Sequence, residues 1–212
     1  MIAGVAAAVC ILRPEDVILT VCTGLFAGVA AALPDMDTAT SVARQSTRKL
    51  MTFLAGVAVA IVLFCKYAGI TFTMGSLARC VIGWLIVAGV GLLGIFCPHR
   101  GMTHSLFALG VIAVGLALTG VPSLYFKAVL IGYGSHLLLD LLNKEGIQLF
   151  FPFKVRVSLK WCRSDGTLNN LIFLVSYGLV FWYGINLIPV DDIKELVNKV
   201  KEMKELEGNI AT

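Results

Sequence analysis

Six long, nearly uncharged apolar stretches constrain this chain more than any other feature. They run Val17–Leu33, Leu50–Cys65, Arg79–Cys97, Thr103–Val121, Tyr125–Leu142 and Leu168–Val190. A helix that crosses a bilayer needs ~20 mostly apolar residues, within a range of about 17–25. In lipid, every backbone polar group must be paired inside its own segment, so each stretch is expected to be helical. A water-soluble fold would have to bury all six at once, and 212 residues make only one or two domains. Charge points the same way. Only 14% of residues are charged, against ~25% in a typical soluble domain. The predicted fold class is all-α: a polytopic transmembrane bundle of about six or seven helices. Met1–Leu12 is apolar but too short to span alone, so it is expected to be a re-entrant piece or the end of a helix. No basic leader precedes it, and a cleavable signal is not expected.

The connections divide the chain. Pro34–Lys49 is polar and basic, Pro98–Met102 is very short, Pro122–Ser123 is a tight turn, and Asn143–Thr167 is long and mixed. Residues 1–190 read as one membrane domain and 191–212 as a charged tail. In that tail Ile193, Leu196, Val197, Val200 and Met203 follow helical spacing, which predicts an amphipathic surface helix. With six spans, Arg44, Arg48, Lys49, Arg100, Lys144, Lys154, Arg156, Lys160 and Arg163 fall on one side of the membrane. Arg13, Lys66 and the acid-rich tail fall on the other. The first side is expected to be cytoplasmic. The net charge of +4 is thus read as orientation, not as a nucleic-acid surface. The cysteines, Cys10, Cys22, Cys65, Cys80, Cys97 and Cys162, lack Cys-x-x-Cys spacing and read as small packing residues. The small residues Gly83, Gly89, Gly91, Gly94, Gly110 and Gly115 would let helices approach closely.

Against this apolar background the ionisable groups stand out. The chain has three histidines: His99, His104 and His136. His99 and His104 flank one short loop. His136 lies four residues before Asp140, so the two share a helix face. Asp35 and Asp37 follow Pro34 at the end of an earlier span. Topology alone brings Asp35, Asp37, His99, His104, His136 and Asp140 to the same, cytoplasmic, face. Such groups are costly beside lipid unless paired or wetted, and usually mark function. Imidazole with carboxylate is a ligand set for zinc, manganese or iron. Six candidates suffice for one metal with outer carboxylates or for two metals sharing ligands. Taken singly, each has a plain alternative as a helix cap, an ion pair or a snorkelling residue. Arg100, between two of the histidines, could hold phosphate or anchor the positive-inside face. Ser105 and Ser135 adjoin histidines and could bond substrate or backbone.

Three stretches carry a resemblance. They are Leu33-Pro34-Asp35-Met36-Asp37, His99-Arg100-Gly101-Met102-Thr103-His104-Ser105, and Gly132-Tyr133-Gly134-Ser135-His136-Leu137-Leu138-Leu139-Asp140. The loop from Gly146 through Phe151-Pro152 is similar too. In order and rough spacing, from about residue 20 to 175, the chain resembles the YdjM-like inner-membrane-associated family, designated metal-dependent hydrolases on sequence grounds. The resemblance implies a multi-span membrane protein with Asp35, Asp37, His99, His104, His136 and Asp140 at a hydrolytic metal site. The chain departs from the family pattern in three places. It lacks a histidine near its start, has Thr38 after the Asp-x-Asp pair, and has Asn169-Asn170 where many members carry Glu.

The expected function is therefore a membrane-bound metal-dependent hydrolase with a divalent ion, zinc or manganese foremost. A carboxylate, Asp37 or Asp140, would serve as general base, and Arg100 would neutralise phosphate. The boundary location suggests a phospholipid or polyprenyl phosphate headgroup as substrate. Two alternatives stay open: a non-catalytic membrane scaffold that has lost part of the site, and a metal or proton transporter. The bilayer is the expected partner, and nucleic acid is not expected.

Overall fold

The computed structural model describes residues 1–37, 74–97, 100–161 and 166–187. Within them the chain is all-helical. Six α-helices follow in order: α1 (Ile2–Leu12), α2 (Val17–Ala32), α3 (Met74–Phe96), α4 (Leu106–Thr119), α5 (Ser123–Leu142) and α6 (Thr167–Leu187). Two short 3-10 turns, Pro34–Asp37 and Met102–His104, precede α3 and α4. The expected span Leu50–Cys65 and the expected amphipathic tail 191–212 lie outside the described residues.

Local chemistry sets the helix ends. The Asp16 carboxylate accepts a hydrogen bond from the Leu19 amide at 2.7 Å and caps α2. Pro34 lacks an N–H and cannot continue α2, so the chain tightens into the first 3-10 turn. Ser105 caps α4 by accepting from the Ala108 amide at 3.2 Å. Gly120 closes that helix in the left-handed region, at φ 72°. This cap explains a difference from expectation. The sequence suggested one span from Thr103 to Val121, yet α4 holds only 14 residues because Met102–His104 form a separate turn before Ser105. At ~1.5 Å per residue, α4 falls short of a ~30 Å hydrocarbon core. Two helices among the described residues, α3 over Gly75–Gly94 and α6, are long and apolar enough to cross a membrane.

Small residues decide how the helices pack. A Cβ on Gly132 of α5 would sit 2.2 Å from the Ala27 carbonyl oxygen of α2, so these backbones touch. A Cβ on Gly83 of α3 would meet the Gly115 carbonyl of α4 at 2.4 Å. These are the close contacts that dispersion forces require where lipid supplies no hydrophobic drive between helices. Gly89 and Gly110, also flagged by sequence, face open space. Helix α1 packs against α2, α5 and α6. Tyr183 of α6 donates to the Pro14 carbonyl at 3.0 Å, tying α6 to the α1–α2 turn. The main core joins Ala30, Val90, Ala108, Ile112, Leu116, Tyr133 and Leu137. Cys10, Cys22, Cys80 and Cys97 are free thiols.

The α5–α6 loop folds back on the bundle. Ile147 and Val157 exchange backbone hydrogen bonds at 3.0 and 2.9 Å. The Gln148 amide donates to the Arg100 carbonyl at 3.2 Å, and the Leu106 amide donates to the Leu149 carbonyl at 3.0 Å. Farther along, the Leu159 and Trp161 amides donate to Leu141 and Leu142 at the end of α5. The loop therefore braces the segment 100–106 from outside.

Candidate metal centre

Three separate elements deliver one cluster. Asp35 stands on the first 3-10 turn, His104 ends the second, and His136 lies on α5 one turn before Asp140. His104 is fully buried. Tyr133, also buried, donates its hydroxyl to the Thr103 carbonyl and so fixes the His104 turn against α5. Thr103 Oγ1 lies 3.2 Å from His104 Nδ1. With that nitrogen engaged, Nε2 is directed to the cluster, the usual device for orienting a metal-binding imidazole.

The separations are those of a coordination shell. His104 Nε2 and His136 Nε2 are 3.4 Å apart. Asp35 Oδ1 lies 3.6 Å from the first and 3.5 Å from the second. A tetrahedral ion bound at ~2.0–2.2 Å requires neighbouring ligand atoms ~3.3–3.6 Å apart. The triangle Asp35–His104–His136 meets that requirement as it stands. Asp140 Oδ2 lies 3.1 Å from His104 Nε2 and 3.3 Å from His136 Nε2. This oxygen is buried beside both imidazole nitrogens. A cation between these atoms would satisfy it. The donor set, two imidazoles and one or two carboxylates, suits zinc, manganese or iron.

The electrostatics are graded from inside to outside. Burial pushes the Asp35 carboxyl up, but the neighbouring imidazoles of His104 and His136 outweigh it. The group ends below the ordinary carboxylate range despite the opposing charge of Asp140. Asp35 is 55% exposed, whereas Asp140 is 15% exposed. The cluster thus opens to its surroundings on the Asp35 side.

Arg100 lies behind Asp140. Its guanidinium is buried, 3.9 Å from Asp140 Oδ1, and it donates to the Glu145 carboxylate. Asp140 therefore has one oxygen toward the imidazoles and one toward Arg100. Glu145 was not singled out from the sequence, nor were Thr103 and Tyr133 as supports. Glu145 follows Asp140 by five residues, which hints at proximity, but its pairing depends on the loop folding back. Ser105 and Ser135 are turned to the backbone. Ser105 donates to the Met102 carbonyl, and Ser135 donates to the Gly132 carbonyl at 2.7 Å. Neither is set up as a nucleophile. Asp37 ends the first 3-10 turn. His99 and Thr38 lie outside the described residues.

Comparison with known proteins places this geometry in context. The family model described as YdjM inner membrane protein matches residues 1–190. The uncharacterized protein YvsG of Bacillus subtilis (strain 168) is 34% identical over 86 residues, covering 40% of this chain and 53% of that protein. The match spans about half the length of that relative. No solved structure matches.

Proposed function

This chain belongs to the YdjM inner membrane protein family, and from that premise we propose that it is a polytopic membrane protein whose metal centre hydrolyses a lipid phosphate headgroup. One observation carries the reading: Asp35, His104 and His136 present three ligand atoms 3.4–3.6 Å apart, with Asp140 Oδ2 beside them. Residues 1–190 form the membrane unit in this reading, and the cluster faces the cytoplasm, where the basic loops gather.

Asp35, His104 and His136 would hold the ion, joined by Asp140 or with Asp140 left as a base. When bound, a divalent cation supplies Lewis acidity and acidifies water toward ~7. Thr103 keeps His104 in the tautomer that leaves Nε2 available. Arg100 holds Asp140 in place, and a headgroup phosphate that displaced the exposed Glu145 carboxylate would be neutralised there. Asp37 is the second candidate base, and His99 the further candidate ligand. The Asp35 side is the entrance, because the other members of the cluster are mostly buried.

The test is headgroup release. Protein reconstituted in vesicles containing phosphatidylglycerol, phosphatidic acid or a polyprenyl phosphate, with zinc or manganese added, should yield a water-soluble product. Release should stop with chelator and in His104→Ala. Glu145→Gln should lower KM for the anionic headgroup by freeing Arg100. A metal-loaded protein that cleaves none of these lipids would sink the hydrolase reading and leave the metal centre standing.

A further inference from the structure

Separate from the metal cluster, the α5–α6 loop carries a pattern the proposed chemistry does not use. From Phe153 to Trp161 the residues alternate strictly. Phe153, Val155, Val157, Leu159 and Trp161 are apolar, while Lys154, Arg156, Ser158 and Lys160 are polar or basic. Alternation with period two puts the two sets on opposite faces of an extended segment, and it does so here up to Leu159; at Lys160 the backbone turns into the left-handed region, φ 55°, and carries Trp161 past the end of the extended run. The segment is extended where it pairs, since Val157 exchanges backbone hydrogen bonds with Ile147.

Among the described residues the apolar side chains are exposed at both ends of the run. Phe153 is 70% exposed and Trp161 72%, and Val155 and Leu159 are exposed between them. Large apolar side chains on a tethered loop do not stay in water without reason. The basic face narrows the choice of occupant. Lys154, Arg156 and Lys160 are exposed, and no acid interrupts the run. Aromatic and aliphatic groups beside basic ones are what a bilayer's headgroup layer accepts: rings settle at the polar–apolar boundary, and basic chains reach phosphate. Continuity agrees. The loop leaves α5 and leads within a few residues to α6, one of the two helices able to cross a membrane.

We infer that residues 153–161 form an amphipathic segment, extended around Val157, that docks in the headgroup layer and binds anionic phospholipid through Lys154, Arg156 and Lys160. This stands on the family's membrane location and not on the metal reading. Because the loop braces Arg100 and Leu106 through backbone hydrogen bonds, it would also fix the cluster's height relative to the lipid phosphates.

Trp161 reports on this directly. Full-length protein carrying Trp84→Phe and Trp182→Phe would be reconstituted in vesicles of about three parts phosphatidylcholine to one part phosphatidylglycerol. Lipids brominated near the headgroup should quench Trp161, and aqueous iodide should not. Brominated phosphatidylglycerol should quench about threefold or more effectively than brominated phosphatidylcholine. Charge reversal of Lys154, Arg156 and Lys160 to Glu should erase that preference. If the tryptophan-depleted protein does not fold, the difference between wild type and Trp161→Phe gives the same reading. Ready quenching by iodide would overturn the inference. So would protection from both iodide and brominated lipid, which would assign the face to a protein partner or a second copy. Equal quenching by the two lipids would overturn the anionic preference.

Discussion

Helices α5 and α6 are near equals in length, 20 and 21 residues, yet they differ in how much of each is buried. Along α5, Ala128, Val129, Gly132, Tyr133 and Leu137 are buried, and the same helix carries His136 and Asp140. Along α6 the described buried residue is Ser176, while Leu174, Phe181 and Trp182 are exposed. Helix α5 packs by letting its backbone touch α2. Helix α6 presents large apolar side chains outward, as a helix solvated by lipid does. The contrast shows where a polar site can be built in an apolar chain. Charged and imidazole groups are placed where protein surrounds them and where each can be satisfied by another, and the helix with its apolar side chains exposed carries no Asp, Glu, Lys, Arg or His.

Substitutions at matched glycines would break this comparison most sharply. Gly132→Leu drives a side chain into the α2 backbone, and the cost should meet or exceed the ~1–3 kcal/mol of ordinary overpacking. Gly178→Leu on α6 meets nothing within 4 Å and should change stability by less than ~0.5 kcal/mol. Thermal unfolding in detergent, followed by size-exclusion chromatography, would compare the pair. Similar losses in both would mean that α6 is packed in a way the described contacts do not include.

Next in size are the metal ligands. His136→Ala should weaken zinc binding by more than the ~10–100-fold typical of losing an outer partner, while changing unfolding little. Thr103→Val keeps the shape and removes the contact to His104 Nδ1, so its loss should fall within that ~10–100-fold range. Competition titration against a chromophoric chelator would rank the two. Equal affinity in wild type and Thr103→Val would mean that the hydroxyl does not orient the imidazole.

The smallest and most graded effect is that of pH. Imidazole binds metal only when neutral, so zinc affinity should fall as pH drops from about 8 to about 5. Asp35 is held below the ordinary carboxylate range and stays ionised across that interval. Its own contribution to folding is present above the unfolded value and is lost only as pH falls through the lower, folded one. Asp35→Asn should therefore weaken binding across the interval without abolishing its loss at low pH. A pH dependence that vanished in Asp35→Asn would assign the proton to the carboxylate.

Parts of this arrangement were legible in the sequence, for identifiable reasons. The apolar run from Val17 ended where Pro34 ends α2, because proline acts locally. The run from Thr103 did not predict α4, since Ser105 turns its hydroxyl to the backbone and starts the helix later. Asp35, His104, His136 and Asp140 could be named together because each stands at or near the end of an apolar stretch, where an ionisable group is conspicuous. The partners of Arg100 could not be named. Glu145 reaches it only after a loop of irregular backbone folds back, and no periodicity encodes that return. The alternation from Phe153 to Trp161 was open to reading but was hidden inside a loop treated as a mixed connection.

The most direct test of the central claim, that this cluster holds a metal, is elemental mass spectrometry on detergent-purified protein. Wild type and His104→Ala would be compared after growth in metal-supplemented medium. Near-stoichiometric zinc, manganese or iron in the wild type, lost in a variant that still elutes as folded protein, is the predicted result. No metal in either would contradict the account and leave Asp35, His104, His136 and Asp140 as a network that only joins helices.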